Sequence, residues 1–567
     1  MITDNGGSAA PTVPPSPTDD IGVLWKGFCT GYRVLADAEV ADLCKRLLDH
    51  GIDQVPARAA RELPSYVAPA RPDEGSRPPA LVMHSATRTT RGFDGDLADV
   101  RAGRDPYDVA GYLEARAVSL GVAGDLAVGR VRPWQEAVRQ YGLDSVDIRD
   151  LDVYYLSDAL LLAAAGEGPQ PGVLEPVVEW VRARPSTVVR LYALDLETQV
   201  FLLWLKERAG LDVLHVDANS PVVSARWNRK NHVHPTVPDA RAVAATGLAP
   251  DDLLAAEQRQ SEGCRLLGME LPVLPGYLVE RTDDPDTFAA GVVAAAALLT
   301  ERYGLQRGCL KPCEAGDGAR IVTGLALSDE AALRHHARAA HQHGDAYVLE
   351  AHTDFHPCTI NGRRFILAPS GHVRGGQVLP GVTLQLMNGV SWEGNVTLTE
   401  EDCVRFGLPA RMYGDMMTAM HATRDAFHGP QSAVQGCQGG MVTGGVDFAV
   451  GRIGGVFGDR IVLGAIDFNL SSHGAEYMRA FQDEVADRAT HVATRVYRPD
   501  MAADLDTTVR AVAGLTPGSR WSKVVASVPG RWGMVAVTGT GLEDAVGAAE
   551  ELVTGLRAAG LAGGGTA

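Results

Sequence analysis

The sequence is poor in aromatic residues, 6% of 567, and short of positive charge. Lys and Arg number 52 against 70 Asp and Glu, a formal net charge of −18. That field disfavours duplex nucleic acid and anionic membrane surfaces, so neither is expected as a partner. The 8 cysteines include no Cys-x-x-Cys pair. This argues against a zinc ribbon or a disulfide framework and leaves reduced thiols in a cytoplasm as the expectation. Long apolar runs are missing too. The most apolar uncharged run, Phe288 to Leu299, falls short of the about 20 residues that cross a bilayer. The first residues, MITDNGGSAAPTVPPSPTDD, are acidic and Pro-rich, with no basic segment leading into an apolar one. They do not read as a secretory signal, and 1–20 is expected to be a disordered tail. Neither G-x-x-x-x-G-K-[ST] nor G-x-S-x-G occurs, which argues against a P-loop and a serine-hydrolase elbow.

What is present is a globular composition, 46% hydrophobic and 22% charged, long enough for about three or four domains. Residues 21–185 read as a helix-rich extension, with a Pro/Arg-rich irregular stretch over 55–80 and apolar residues every three or four positions further on. From Ser186 the texture changes. STVVRLYAL reads as a buried strand, ETQVFLLWLKERAG as an amphipathic helix and DVLHVDAN as a second strand. That is a βαβ unit with parallel pairing, assigned to 186–250. Helices are expected over Asp251 to Leu267 and Asp286 to Tyr303, the second capped at Pro285-Asp286. From Gly308 to about 470 the chain is mostly β-like runs broken by Gly pairs, with one helix from Asp329 to His343. Segregated strands and helices point to an α+β substructure over 251–480, and 481–567 closes a small α+β lobe with a last strand and helix.

The chemistry concentrates in this β-rich part. GGVDFAV and GAIDFNL bring Asp447, Asp467 and Asn469 together if their strands pair. Residues two apart on a strand share a face, so Asp467 and Asn469 offer two oxygens to one hard cation such as Mg²⁺. Upstream, Lys311 lies on a strand leading into CEAGDGARIV, where Gly316 and Gly318 let backbone N–H groups approach a polyphosphate. Between them AYVLEAHTDF reads as a buried strand whose backbone at Val348 and Leu349 can meet an adenine edge, with Glu350 at its end. Arg364 and Arg374 are candidates to hold a substrate carboxylate, because guanidinium forks match that group. His232 and His234 alternate as a metal-binding His-x-His does, but no companion cluster accompanies them. His335, His336, His341 and His343 read as surface histidines.

Taken in order, the lysine strand, glycine loop, apolar strand with its terminal Glu, Asp strand and Asp-x-Asn strand resemble the ATP-grasp superfamily of carboxylate–amine ligases. The resemblance covers roughly 186 to 545. HVDANSPVVSARWNRKNHVHP, with Trp227, Asn228 and Lys230, and the stretch CTINGRRFILAPSGHV to SWEGN are similar to the pheganomycin-type peptide ligases of natural-product biosynthesis. The resemblance implies a pre-ATP-grasp α/β domain followed by two α+β lobes, with ATP between the lobes. It places Mg²⁺ on Asp447, Asp467 and Asn469, and phosphate on Lys311. It implies an ADP-forming enzyme that activates a carboxylate as an acyl phosphate and passes it to an amine. An amino acid, a peptide or a group on a carrier protein could supply either substrate, and a homodimer is open. Two departures bear on the site. Asp467-Phe468-Asn469 replaces the usual Glu-x-Asn, and the first phosphate cation falls on Arg259 by register, with Lys230 competing. A protein that keeps the fold and binds a nucleotide without turnover is the alternative.

Overall fold

A computed structural model describes residues 33–563, apart from 69–76, 84–117, 130, 132–134, 149–152, 154, 169, 192–193, 268–270, 314–319, 389–390, 428–439, 472–474, 486–490, 501–502, 504 and 529–531. The expected tail at 1–20 and the glycine loop bearing Gly316 and Gly318 lie outside the described residues.

The amino-terminal half is built on a parallel sheet. Its strands are β1 (Ala80–Val82), β2 (Leu126–Gly129), β3 (Asp144–Asp147), β4 (Val188–Arg190) and β5 (His215–Asp217), in the order β3-β2-β1-β4-β5. Asp195 caps the helix Leu196–Ala209 by accepting from Thr198 N, and Gly210 ends it in the left-handed region. That helix returns the chain so that β5 lies parallel to β4, as the βαβ pattern requires. The sheet crosses the boundary expected at 185. Three of its strands come from the stretch read as a helix-rich extension, each only three or four residues long, too short for alternation to reveal.

The second sheet is antiparallel, with strands β6 (Gly276–Val279), β7 (Arg307–Pro312), β8 (Val322–Ala326) and β9 (Tyr347–Ala351) in the order β6-β9-β7-β8. Two helices, Pro285–Tyr303 and Glu330–His341, pack against it. The N-cap of the first is Asp284, not the expected Pro285-Asp286 pair. Its carboxylate accepts from Thr287 N at 2.9 Å, and Pro285 stands at the first helical position, where its missing N–H costs nothing. The apolar run Phe288 to Leu299 belongs to this helix and buries Phe288, Val292, Ala295 and Leu299. Among the described residues no helix is long and apolar enough to cross a membrane.

Among the described residues twelve further strands follow: β10 (Asp354–Phe355), β11 (Pro357–Ile360), β12 (Arg363–Ile366), β13 (Pro369–Arg374), β14 (Gln377–Val378), β15 (Val382–Asn388), β16 (Ser391–Leu398), β17 (Gly444–Arg452), β18 (Val462–Asn469), β19 (His491–Tyr497), β20 (Ser522–Val528) and β21 (Trp532–Gly539). β11 and β12 form a separate hairpin, turned by Asn361 and Gly362 at φ 50 and 75. Two consecutive positive φ values define the turn that Asn-Gly favours. The other ten make an antiparallel sheet along β10-β17-β13-β15-β16-β19-β21-β20, with β18 on β17 and β14 on β13. Helices Arg411–Ala426 and Leu542–Ala558 cover it and share its core. The carboxyl-terminal strands join through β19 on β16, so this sheet also crosses the lobe boundary expected at 480. An α/β unit followed by α+β lobes is the expected fold class.

Candidate active site

β17 and β18 are neighbours, and their register sets Asp447 directly opposite Asp467 and Gly445 opposite Asn469. A register shift between Asp447 and Phe448 bends the pair at this point. Ser370 on β13 faces Asp447 from the other side. Its hydroxyl donates to Asp447 Oδ1 at 2.5 Å, and Asn469 Nδ2 donates to Asp447 Oδ2 at 3.3 Å. Burial and the neighbouring Asp467 push the Asp447 carboxyl up to about 6, against the hydrogen bonds and Lys230, which pull the other way. Two carboxylates held face to face repel in this manner.

Lys230 answers part of that repulsion. It follows a π-helical turn, Val222–Trp227, and opens a short 3₁₀ turn, Lys230–Val233. Its Nζ lies 3.0 Å from Asp467 Oδ1, with the side chain 9% exposed. Lys311 on β7 sits at the same seam. Its Nζ is 2.6 Å from Glu350 Oε1 and donates to the Ile466 carbonyl of β18 at 3.0 Å, so it spans both sheets. Glu350 is buried, and desolvation alone would raise its carboxyl. Lys311 and His234 outweigh that and hold it below the ordinary carboxylate range. His234 Nε2 is 3.5 Å from Glu350 Oε2. Gly276 on β6 permits this packing, since a Cβ there would lie 2.8 Å from His234 Cε1 and 2.9 Å from Glu350 Cβ.

Asp447, Asp467, Asn469, Lys311, Glu350 and Lys230 are thus brought together. Other expected residues are not. Arg259 is exposed at the carboxyl end of helix Pro250–Gln258 and joins no ion pair among the described residues, whereas its competitor Lys230 lies against Asp467. Arg374 is half-buried and already paired with Asp483 at 3.0 Å and Glu476 at 3.6 Å. Arg364 is exposed on β12. Val348 and Leu349 belong to an interior strand laddered to β6 on one side and β7 on the other, which leaves no backbone group for an adenine edge. Ser370 carries no local signal that marks it as a site residue, and His234 is marked only as half of the His-x-His pair with His232. The histidine helix is peripheral, as expected, with His341 Nε2 against the Thr282 carbonyl. A cleft of about 440 Å³ opens behind β18, lined by Leu254, Leu274, Met412 and Leu463 and by none of the site's side chains.

The donor set suits Mg²⁺. That ion takes one or two carboxylates and completes its shell with water and phosphate oxygens. Two carboxylates and an amide oxygen are available here, and a lysine ammonium already sits on one of them. Among the described residues no cluster of three His, Cys, Asp or Glu side chains that could hold a metal ion is found.

No family model matches the chain, and no curated protein matches it. Among solved structures it is similar to N5-carboxyaminoimidazole ribonucleotide synthetase in complex with ADP, at TM-score 0.40 and 12% identity over 76% of this chain and 97% of that one. It is similar to a biotin carboxylase–ATP complex from Campylobacter jejuni at TM-score 0.40 and 11% identity, over 76% and 89%. Similarity to D-cycloserine synthetase has TM-score 0.28 and 14% identity, over 53% and 83%. At these scores nothing about reaction or substrate passes from those proteins to this chain.

Proposed function

We propose that this chain is an ATP-grasp carboxylate–amine ligase that forms an amide bond and releases ADP and phosphate. The observation that carries the reading is the convergence of Asp447, Asp467 and Asn469 with two buried lysines that arrive from separate segments, Lys311 and Lys230. Oxygen donors and ammonium groups facing one seam suit a polyphosphate with its cation.

In the proposed reaction a carboxylate oxygen of the substrate attacks the γ-phosphorus of ATP. The bond to the β,γ-bridging oxygen breaks and ADP leaves. The amine then attacks the acyl carbon, the acyl–oxygen bond breaks, phosphate departs, and the amine's proton passes to solvent. Magnesium, when bound, neutralises phosphate oxygens as charge moves between them. Lys311 would hold the transferred group from the β7 side, and Lys230 would turn from Asp467 to phosphate as the cation takes over its partner. Residues 251–480 would supply the two lobes and the parallel sheet ahead of them part of the substrate surface. An amino acid or peptide in natural-product assembly is the proposed substrate class.

The test is coupled detection of ADP from the full chain with MgATP and a pool of amino acids and dipeptides, followed by mass spectrometry for new amides. Substrate-dependent ADP with a matching condensation product, lost in Asp467→Ala, is expected. A second reading rests on the departure of Asp467-Phe468-Asn469 from Glu-x-Asn: a nucleotide binder that does not turn over. It predicts Mg-dependent ADP binding with no substrate-dependent ADP release. Absence of nucleotide binding would sink both.

A further inference from the structure

Asn219 lies two residues beyond β5 and is 1% exposed. Its amide makes four hydrogen bonds, all to backbone more than two hundred positions away. Nδ2 donates to the Thr443 carbonyl at 2.6 Å and the Leu470 carbonyl at 2.6 Å. Oδ1 accepts from Val442 N at 2.6 Å and Thr443 N at 3.0 Å. An asparagine amide has two donors and two acceptor lone pairs, and every one is used. Thr443 immediately precedes β17 and Leu470 immediately follows β18, so one side chain ties together the ends of the two strands that carry Asp447 and Asn469. Leu470 is gripped again by the same segment. Ser224 Oγ donates to its carbonyl at 3.3 Å, and Asn228 Oδ1 accepts from its N–H at 2.7 Å. Two positions further on, the segment delivers Lys230 to Asp467.

We infer that Asn219 and Asn228 are positioning residues, which fix the ends of β17 and β18 so that Asp447, Asp467 and Asn469 converge on one divalent cation. The segment that leaves the parallel sheet after β5 thereby sets the cation affinity of carboxylates it does not itself carry. The inference rests on the proposed Mg–nucleotide site. Magnesium accepts little departure from octahedral geometry, while two facing carboxylates push their strand ends apart when unclamped. A clamp from outside the sheet resolves that conflict.

The experiment compares ADP affinity of the full chain by calorimetry in Mg²⁺ and in EDTA, for wild type, Asn219→Ser and Asn228→Ala. The ratio of the two affinities is expected to fall about tenfold in each variant, the lower end of the range for residues that orient metal ligands. Affinity in EDTA is expected to stay at the wild-type value. A lowered melting temperature with an unchanged ratio would make these residues domain ties only and overturn the inference. Asn228→Ala loses a single acceptor and carries the same test if Asn219→Ser does not fold. A wild type whose ADP binding ignores Mg²⁺ would instead overturn the ligase reading, and this inference with it.

Discussion

Lys311→Met is expected to lose both stability and ADP formation, and adding Glu350→Gln is expected to restore only the first. In the native protein Lys311 and Glu350 are buried together at 2.6 Å. Removing the lysine leaves a buried ionised carboxyl with His234 at 3.5 Å as its remaining described partner. Breaking a buried pair from one side costs about 3–5 kcal/mol, whereas replacing both partners by neutral groups of similar volume is often close to neutral. The double variant should therefore unfold near the wild-type temperature. Its substrate-dependent ADP release should still be down by about 10²-fold or more, the scale for removing one group that stabilises charge in a transition state. Recovery of activity in the double variant would reduce Lys311 to a structural partner of Glu350. Thermal unfolding and the coupled ADP assay on the same preparations decide the matter.

Which parts of this site could be read in the sequence follows from how local each determinant is. Asp447, Asp467 and Asn469 sit on long strands joined by a short Gly-rich connection, so pairing was implied by the pattern and the observed register sets the two aspartates opposite each other. The βαβ unit was legible for the same reason, with caps at Asp195 and Gly210 marking its helix. Lys230 against Arg259 was not decidable, because the answer depends on where a non-periodic segment returns after leaving β5. Asn219 is invisible as a site residue, and His234 shows only as half of the His-x-His pair with His232. Their partners, Leu470 and Glu350, lie more than a hundred positions away, and the local sequence carries no signal of that. Val348 and Leu349 were misplaced because a strand's apolar composition does not reveal whether it is an edge, and this one has neighbours on both sides. Arg374 looked free in sequence for a similar reason. Its neutralising carboxylates, Glu476 and Asp483, follow a hundred positions later.

Asp447→Asn should move stability and cation binding in opposite directions. The folded protein raises the Asp447 carboxyl from 3.8 to about 6. The unfolded chain gives up this proton near the ordinary value, while the folded chain still holds it, so protonation favours the native state. Stability from this group is therefore gained as pH falls from about 7 towards 4, and the cost of the buried charge is complete above the folded value. At 1.36 kcal/mol per pKa unit that cost is on the order of 2–3 kcal/mol. Asparagine carries no such charge, still accepts from Ser370, and can pair with the Asn469 amide once that amide rotates. Without Mg²⁺ the variant should unfold at a higher temperature than wild type at pH 8, and the difference should vanish near pH 4. With Mg²⁺ and ADP the order should reverse. Wild type gains binding free energy that stabilises only the folded state, and the variant has lost a ligand. Parallel thermal melts across pH, with and without MgADP, test this. A variant less stable than wild type at pH 8 without metal would mean that Asp447 is not strained by burial beside Asp467, and the pair would then be a hydrogen-bonded strand contact rather than a place held ready for a cation.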